Sequence, residues 1–207
     1  MQQKNDPAPC TAVDPDDGYA VLKDIVGATQ FLLIPTARVN GIDDPAILAP
    51  NAPNYWQAAW SAGHYVAQRA GRELPRDMLS LAINSSVGRT QDQLHIHIDC
   101  VRADVRAVLA GHTNDIRPQW SAFPAPLAGH SYRALRLDGA EFGARNPFHL
   151  LAKVVDADQM RWHTLVAVGM TFGGQPGFAL LDDHADLAAG DRASGEELQD
   201  HDCGVLR

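Results

Sequence analysis

Two features of this sequence predict an α+β fold with an antiparallel sheet: strand-sized segments outnumber helical ones, and they come in hairpins. The stretch to about Asp17 is rich in Asp and Pro and reads as an extended arm. Tyr19 to Asp24 and Phe31 to Pro35 flank Val26-Gly27-Ala28, the pattern of a hairpin whose second strand Pro35 closes. Residues 40–54 are loop-like, broken by Gly41, Pro45, Pro50 and Pro53. From Tyr55 to Ala70 there is no Pro, and Trp56, Ala59, Trp60, Gly63 and Ala67 recur at helical spacing before Gly71, so one helix is expected there. Met78 to Ile83 and Leu94 to Cys100 read as strands around a polar loop, Asn84 to Gln93, and a helix follows from about Arg102 to Ala110. A Pro-rich loop spans about 118–126, and a strand follows near Tyr132 to Leu137. A helix opens at Asn146-Pro147, an N-cap followed by Pro at the first helical position. The last hairpin runs out over Leu165 to Phe172, turns through residues 173–177 and returns over Phe178 to Leu181.

The chain of 207 residues is 45% hydrophobic and 20% charged, enough for a large core and too apolar for disorder. The division expected is an arm over 1–17, a core over 18–112 and a C-terminal extension over 113–207 packed on that core as one domain. With 25 acidic against 17 basic residues and a net charge of −8, nucleic acid is not an expected partner. No apolar run approaches the roughly 20 residues that span a bilayer. The opening MQQKNDPAPC is polar and carries no apolar signal core, so any leader or anchor has been removed or was never present.

Cys10, Cys100 and Cys203 are too scattered for a zinc cluster. A staple between Cys10 and Cys203, near the two ends, and three ordinary buried thiols both fit the spacing.

His95 and His97 are the most informative residues. Strand alternation puts both imidazoles on one face with Asp99, and turns Leu94, Ile96 and Ile98 to the core. Three chemistries fit such a row: a metal site, a nucleophilic histidine supported by its neighbour, and a plain half-exposed strand. The preceding loop favours the second, because Asn84, Ser85, Ser86, Gly88, Arg89, Thr90 and Gln91 are small or carry amide and hydroxyl donors suited to phosphate oxygens. Lys23, Arg89 and Arg133 are weaker candidates for phosphate contact, since exposed basic residues are mostly solvated, and His130 is a candidate pocket residue. The other histidines, His64, His112, His149, His163, His184 and His201, have no paired context in the sequence.

The order Phe31-Leu-Leu-Ile-Pro35, a helix, Leu81-Ala-Ile-Asn84 and Gln91-Asp-Gln-Leu-His95-Ile-His97-Ile-Asp99 resembles the histidine-triad (HIT-like) superfamily of nucleotide hydrolases and transferases. More closely, LAINSSVGRTQDQLHIHIDCVRADVR, FLLIPTARVNGI and the ending RASGEELQDHDC resemble the bacterial CDP-diacylglycerol pyrophosphatase family, from about Cys10 to the C-terminus. The resemblance implies a HIT-like sheet and hydrolysis of CDP-diacylglycerol to CMP and phosphatidate. His97 matches the nucleophile and His95 its supporting histidine, while Asn84, Gln91 and the backbone of Asp92 match phosphate contacts. Asp24 matches the acidic residue that takes ribose hydroxyls. Two departures stand out: Asp99 replaces the third triad histidine, and Gln30 replaces the more distant one. Asp99 is expected either to accept a hydrogen bond from an imidazole and favour its charged form, which would raise the pKa of His97 should Asp99 lie close to it, or to face solvent. No metal or other cofactor is expected. The resemblance further implies work at a membrane interface on the periplasmic side of the bacterial inner membrane, through an anchor preceding Met1, and a homodimer. Two alternatives share the same residues: a hydrolase of a soluble nucleotide diphosphate, and a noncatalytic nucleotide- or metal-binding module using His95 and His97.

Overall fold

The computed structural model describes residues 7–204, and the first six residues of the expected arm lie outside them. Its strands are β1 (Ala12–Asp14), β2 (Tyr19–Lys23), β3 (Phe31–Pro35), β4 (Leu79–Ile83), β5 (Ile96–Val101), β6 (Ser121–Ala122), β7 (Arg133–Asp138), β8 (His163–Phe172), β9 (Gln175–His184) and β10 (Gln199–Asp200). They form one sheet in the order β1-β2-β3-β5-β4-β8-β9-β7-β6, and every pairing is antiparallel. The remaining strand, β10, pairs with β5 at Val101 and Cys100. Four short α-helices complete the α+β fold: α1 (Tyr55–Ala62), α2 (His64–Ala70), α3 (Ala103–Gly111) and α4 (Pro147–Leu151).

Cross-strand register sorts the side chains onto two faces. Leu33 pairs with Ile96, and Ile98 lies across from Phe31 on one side and Leu81 on the other, continuing to Ala167, Leu180 and Leu135. This face is buried beneath α1 and α4, through Trp56, Ala59, Phe148 and Leu151. On the opposite face His97 lies across from Leu32 and Ala82, in a row that continues through Val166 and Leu181 to Ala134. Val105 and Leu109 of α3, Phe123, Leu127 and Leu198 cover the apolar part of that row.

Several expectations need local correction. The arm is not wholly irregular, because β1 pairs with β2 at Ala12–Val21, Val13–Ala20 and Asp14–Tyr19. The helix over 55–70 is two helices broken at Gly63, where a Cβ would overlap the Leu79 side chain; glycine lets the chain bend against β4. The loop over 118–126 contains β6. The last hairpin turns in two residues, Gly173 (φ +56°) and Gly174 (φ +82°), so both strands are longer than expected. At Asn146 the expected cap is present, its side chain accepting from the Phe148 N–H.

Candidate active site

β5 is central in the sheet, so its polar row is held rigidly. His97 is 4% exposed and Asp99 fully buried, because the segment from Ser194 to Cys203 lies over their face. Within that segment a 3-10 turn, Gly195–Leu198, crosses β4 and β8. A Cβ at Gly195 would sit 2.6 Å from both Thr164 Oγ1 and Val166 Cγ2, which explains glycine at this approach.

The turn carries Glu196 to the His97 imidazole. The carboxylate Oε2 lies 3.3 Å from His97 Nε2, close but misaligned for a hydrogen bond, and accepts from Asn84 Nδ2 at 2.7 Å. Its Oε1 accepts from Gln30 Nε2 at 3.3 Å and lies 3.7 Å from His201 Nε2. Gln30 Nε2 is also 2.9 Å from His97 Nδ1, so one amide links the carboxylate and the imidazole. Asn84, Gln30, His97 and His201 therefore converge on one anionic group.

Asp99 meets a histidine, but one from the C-terminal segment. His201 Nδ1 donates to its Oδ2 at 2.8 Å, while Thr29 Oγ1 and the Cys100 N–H approach Oδ1 at 2.7 and 2.8 Å. Of the two expectations for Asp99 the first holds, since it accepts from an imidazole and favours its charged form, but that imidazole lies outside the β5 row. His201, read as unpaired in the sequence, is its partner. The His95 Nδ1–H donates to the Gln93 carbonyl at 2.7 Å, and the His95 and His97 rings stand edge-to-face at 4.8 Å.

Burial first, and then the neighbouring His95 and His201, depress the His97 pKa to about 4, against upward pulls from Glu196 and Asp24. The imidazole is neutral at pH 7. Burial works against ionisation of Glu196, but His97 and the amides of Asn84 and Gln30 outweigh it and hold the carboxyl below its ordinary range. The hydrogen bond to Asp99 pushes His201 up, and burial pushes Asp99 up.

The other candidates divide. Asp24 lies near enough to act on His97 and His201 through its charge. Gln91 is exposed and makes no hydrogen bond among the described residues, while Asp92 is exposed and paired with Arg89. Arg89 is spent on Asp43 and Asp92 in a nearly buried position. Much of the donor loop is also spent internally: the N–H groups of Ser85, Ser86, Gly88 and Arg89 reach backbone carbonyls. Lys23 Nζ closes its own hairpin by donating to the carbonyls of Asp24 and Gly27. Arg133 pairs with Asp182, and His130 with Asp191, away from His97.

The cysteine staple joins Cys100 and Cys203, with Cα atoms 5.2 Å apart, and Cys10 is the free thiol among the described residues. Cys10 sits instead before β1, whereas Cys100 in β5 faces the core into which the chain turns after β10. The sequence reading missed Glu196 altogether. Its only signal was the ending RASGEELQDHDC, whose Glu196, His201 and Cys203 all prove to touch the β5 neighbourhood.

Comparison with known proteins agrees with the quoted strings. A family model described as CDP-diacylglycerol pyrophosphatase matches residues 1–207. A CDP-diacylglycerol pyrophosphatase of Yersinia pestis is 44% identical over 208 residues, covering 100% of this chain and 80% of that relative.

Proposed function

This chain belongs to the CDP-diacylglycerol pyrophosphatase family, and from that premise we propose that it hydrolyses CDP-diacylglycerol to CMP and phosphatidate with His97 as nucleophile. The observation that carries the site assignment is the convergence of Asn84 Nδ2, Gln30 Nε2 and His97 Nε2 on the Glu196 carboxylate. The Asn84 amide that here holds a carboxylate oxygen suits a phosphate oxygen equally well, and it stands beside a neutral imidazole.

In this mechanism the cytidylyl phosphate takes the place of the Glu196 carboxylate, which swings aside with its turn. The His97 Nε2 lone pair attacks phosphorus in line, the Nε2–P bond forms, and the P–O bond to phosphatidate breaks. Water then attacks phosphorus, the P–N bond breaks, and CMP leaves. Attack from Nε2 requires the imidazole proton on Nδ1. The Gln30 amide must therefore present Oε1, which is buried without a partner, in place of Nε2. A half-turn of the amide accomplishes this once Glu196 no longer accepts from Nε2. Asn84 holds the phosphate, His95 supports the nucleophile, and Gln91 and the Asp92 backbone reach the substrate from the loop. A HIT-like arrangement of β3, β4 and β5 is part of the same reading.

The acyl chains place the substrate in a bilayer. Among the described residues no helix is long and apolar enough to cross one. The β2–β3 hairpin carries Ile25 (99% exposed) and Val26 (55% exposed) beside Asp24, while Ala28 and Thr29 hydrogen-bond the His201 carbonyl. This apolar tip beside the site supports work at a membrane interface. The Cys100–Cys203 disulfide supports an oxidising compartment, as on the periplasmic side. A two-fold dimer completes the reading, and light scattering giving a mass near 22.4 kDa would count against it.

The test is turnover of CDP-diacylglycerol in detergent micelles beside CDP-choline and ADP-ribose, in wild type and His97→Ala. The lipid nucleotide should be preferred, and His97→Ala should lose at least about 10³-fold in kcat. Near-normal turnover by the variant would remove the nucleophile, and equal use of the soluble compounds would remove the lipid assignment.

A further inference from the structure

A second cluster lies on the same sheet face, beyond the Gly195–Leu198 turn, and the pyrophosphatase chemistry does not use it. His130 comes from the loop before β7, Asp183 from the end of β9 and Asp191 from the loop that follows β9, and one ligand atom from each lies within 4.8 Å of the others. Asp183 is 6% exposed and Asp191 8%. Asp191 is engaged on both oxygens, by the Ala193 N–H at 2.8 Å and by His130 Nδ1 at 2.6 Å. Asp183 is not: its Oδ1 accepts from the His184 N–H, while Oδ2 is buried with no donor among the described residues.

A buried carboxylate oxygen without a donor is costly, and a second carboxylate beside it adds repulsion; a proton or a cation relieves both. The surroundings favour a cation. On its far side, His130 Nε2 lies 3.6 Å from Glu197 Oε2, and Glu197 Oε1 accepts from Tyr132 Oη at 2.8 Å. A carboxylate behind an imidazole, itself held by a further donor, is the arrangement that orients metal-bound histidines. A proton shared by two aspartates needs no imidazole clamped in this way. The cluster also borders an open cleft of about 840 Å³ lined by Ser131, Asp156, Asp186 and Ala189, which gives an ion a route of entry.

We propose that His130, Asp183 and Asp191 bind one divalent transition-metal ion, with Glu197 orienting His130. One imidazole with two carboxylates suits Zn²⁺ or Mn²⁺, and is unlike the all-oxygen sets of Ca²⁺ and Mg²⁺ sites. The ion ties together three segments and fixes Glu197, the neighbour of Glu196 in the turn above His97. Its role is to hold that turn, outside the reaction itself.

The experiment titrates the EDTA-dialysed chain with Zn²⁺, Mn²⁺ and Ca²⁺ by calorimetry and follows thermal unfolding in parallel. One equivalent of Zn²⁺ or Mn²⁺ should bind, raise Tm and outcompete Ca²⁺. Asp183→Asn and His130→Gln should each weaken binding at least about 100-fold, and Glu197→Gln about 10-fold. Circular dichroism checks each fold, and His130→Gln carries the test should Asp183→Asn not fold. His95→Gln and His97→Gln should leave binding unchanged. Three results would each overturn the proposal: binding lost in those two variants and kept in His130→Gln, preference for Ca²⁺, or no binding of Zn²⁺ or Mn²⁺ by wild type.

Discussion

The pH dependence of kcat/KM tests the buried imidazole most directly. An ordinary histidine titrates near 6.5, so at pH 5.5 about nine-tenths of it would be protonated and catalysis would fall roughly tenfold from its value at pH 7.5. His97 is depressed to about 4 by burial, so at pH 5.5 only about 3% of it is protonated, and the loss should stay under about 10%. Glu196 is the largest upward influence on His97, so Glu196→Gln should move the acidic limb further down. The assay is kcat/KM from pH 4 to 8 on a micellar substrate, in wild type, Glu196→Gln and His201→Gln. His201 is raised by Asp99, and its variant separates loss through His201 from loss through His97. A tenfold fall between pH 7.5 and 5.5 that persists in His201→Gln would refute the assignment of a buried neutral nucleophile. Stability has the same sign. The folded pKa lies below the unfolded one, so the His97 contribution is intact above about pH 6.5. It is lost progressively toward pH 4, up to about 3 kcal/mol.

Further outcomes follow from the same geometry. Cys203→Ser removes a link that closes a loop across 103 positions, and urea unfolding should show a loss of about 3–5 kcal/mol, matched by reduction of the wild type; a loss below 1 kcal/mol would contradict it. Gly195→Ala forces the turn away from Thr164 and Val166 and should change KM and kcat through Glu196, with the resonances of His97 and His201 shifting and those of His64 and His149, far from the turn, unchanged. Gln30→Met keeps the volume but removes the amide that sets the His97 tautomer, so kcat should fall 10- to 100-fold with little change in KM. Ile25→Asp with Val26→Asp should raise the apparent KM for substrate in vesicles severalfold, and leave turnover of short-chain monomeric substrate unaltered; equal effects on both would remove the interface role.

Much of the fold was legible because its signals are local. Alternation fixed the faces of residues 96–100, although β5 begins at Ile96 and leaves Leu94 and His95 just before it, Asn146-Pro147 marked a helix start, and hydrophobic runs marked the paired strands. These depend on backbone geometry and the period of a strand or helix, which neighbours in sequence determine. The same alternation put His95, His97 and Asp99 in one row, and Asn84 at the end of the adjoining strand. What was not legible depends on contacts between distant segments. Gly63 breaks a helix only because Leu79 packs there. Arg89 and the loop N–H groups looked free for phosphate, yet Asp43, Asp92 and nearby carbonyls claim them. Cys203 could not be matched to Cys100, nor His201 to Asp99, from spacings of about a hundred residues. Glu196 lies 99 positions beyond His97 in sequence and 3.3 Å from it in space. The sequence by itself determined the strand, its histidines and its family. Tertiary structure alone decided that the C-terminal segment folds back over them, because burial and charge at His97 are set by whatever lies across the face of β5.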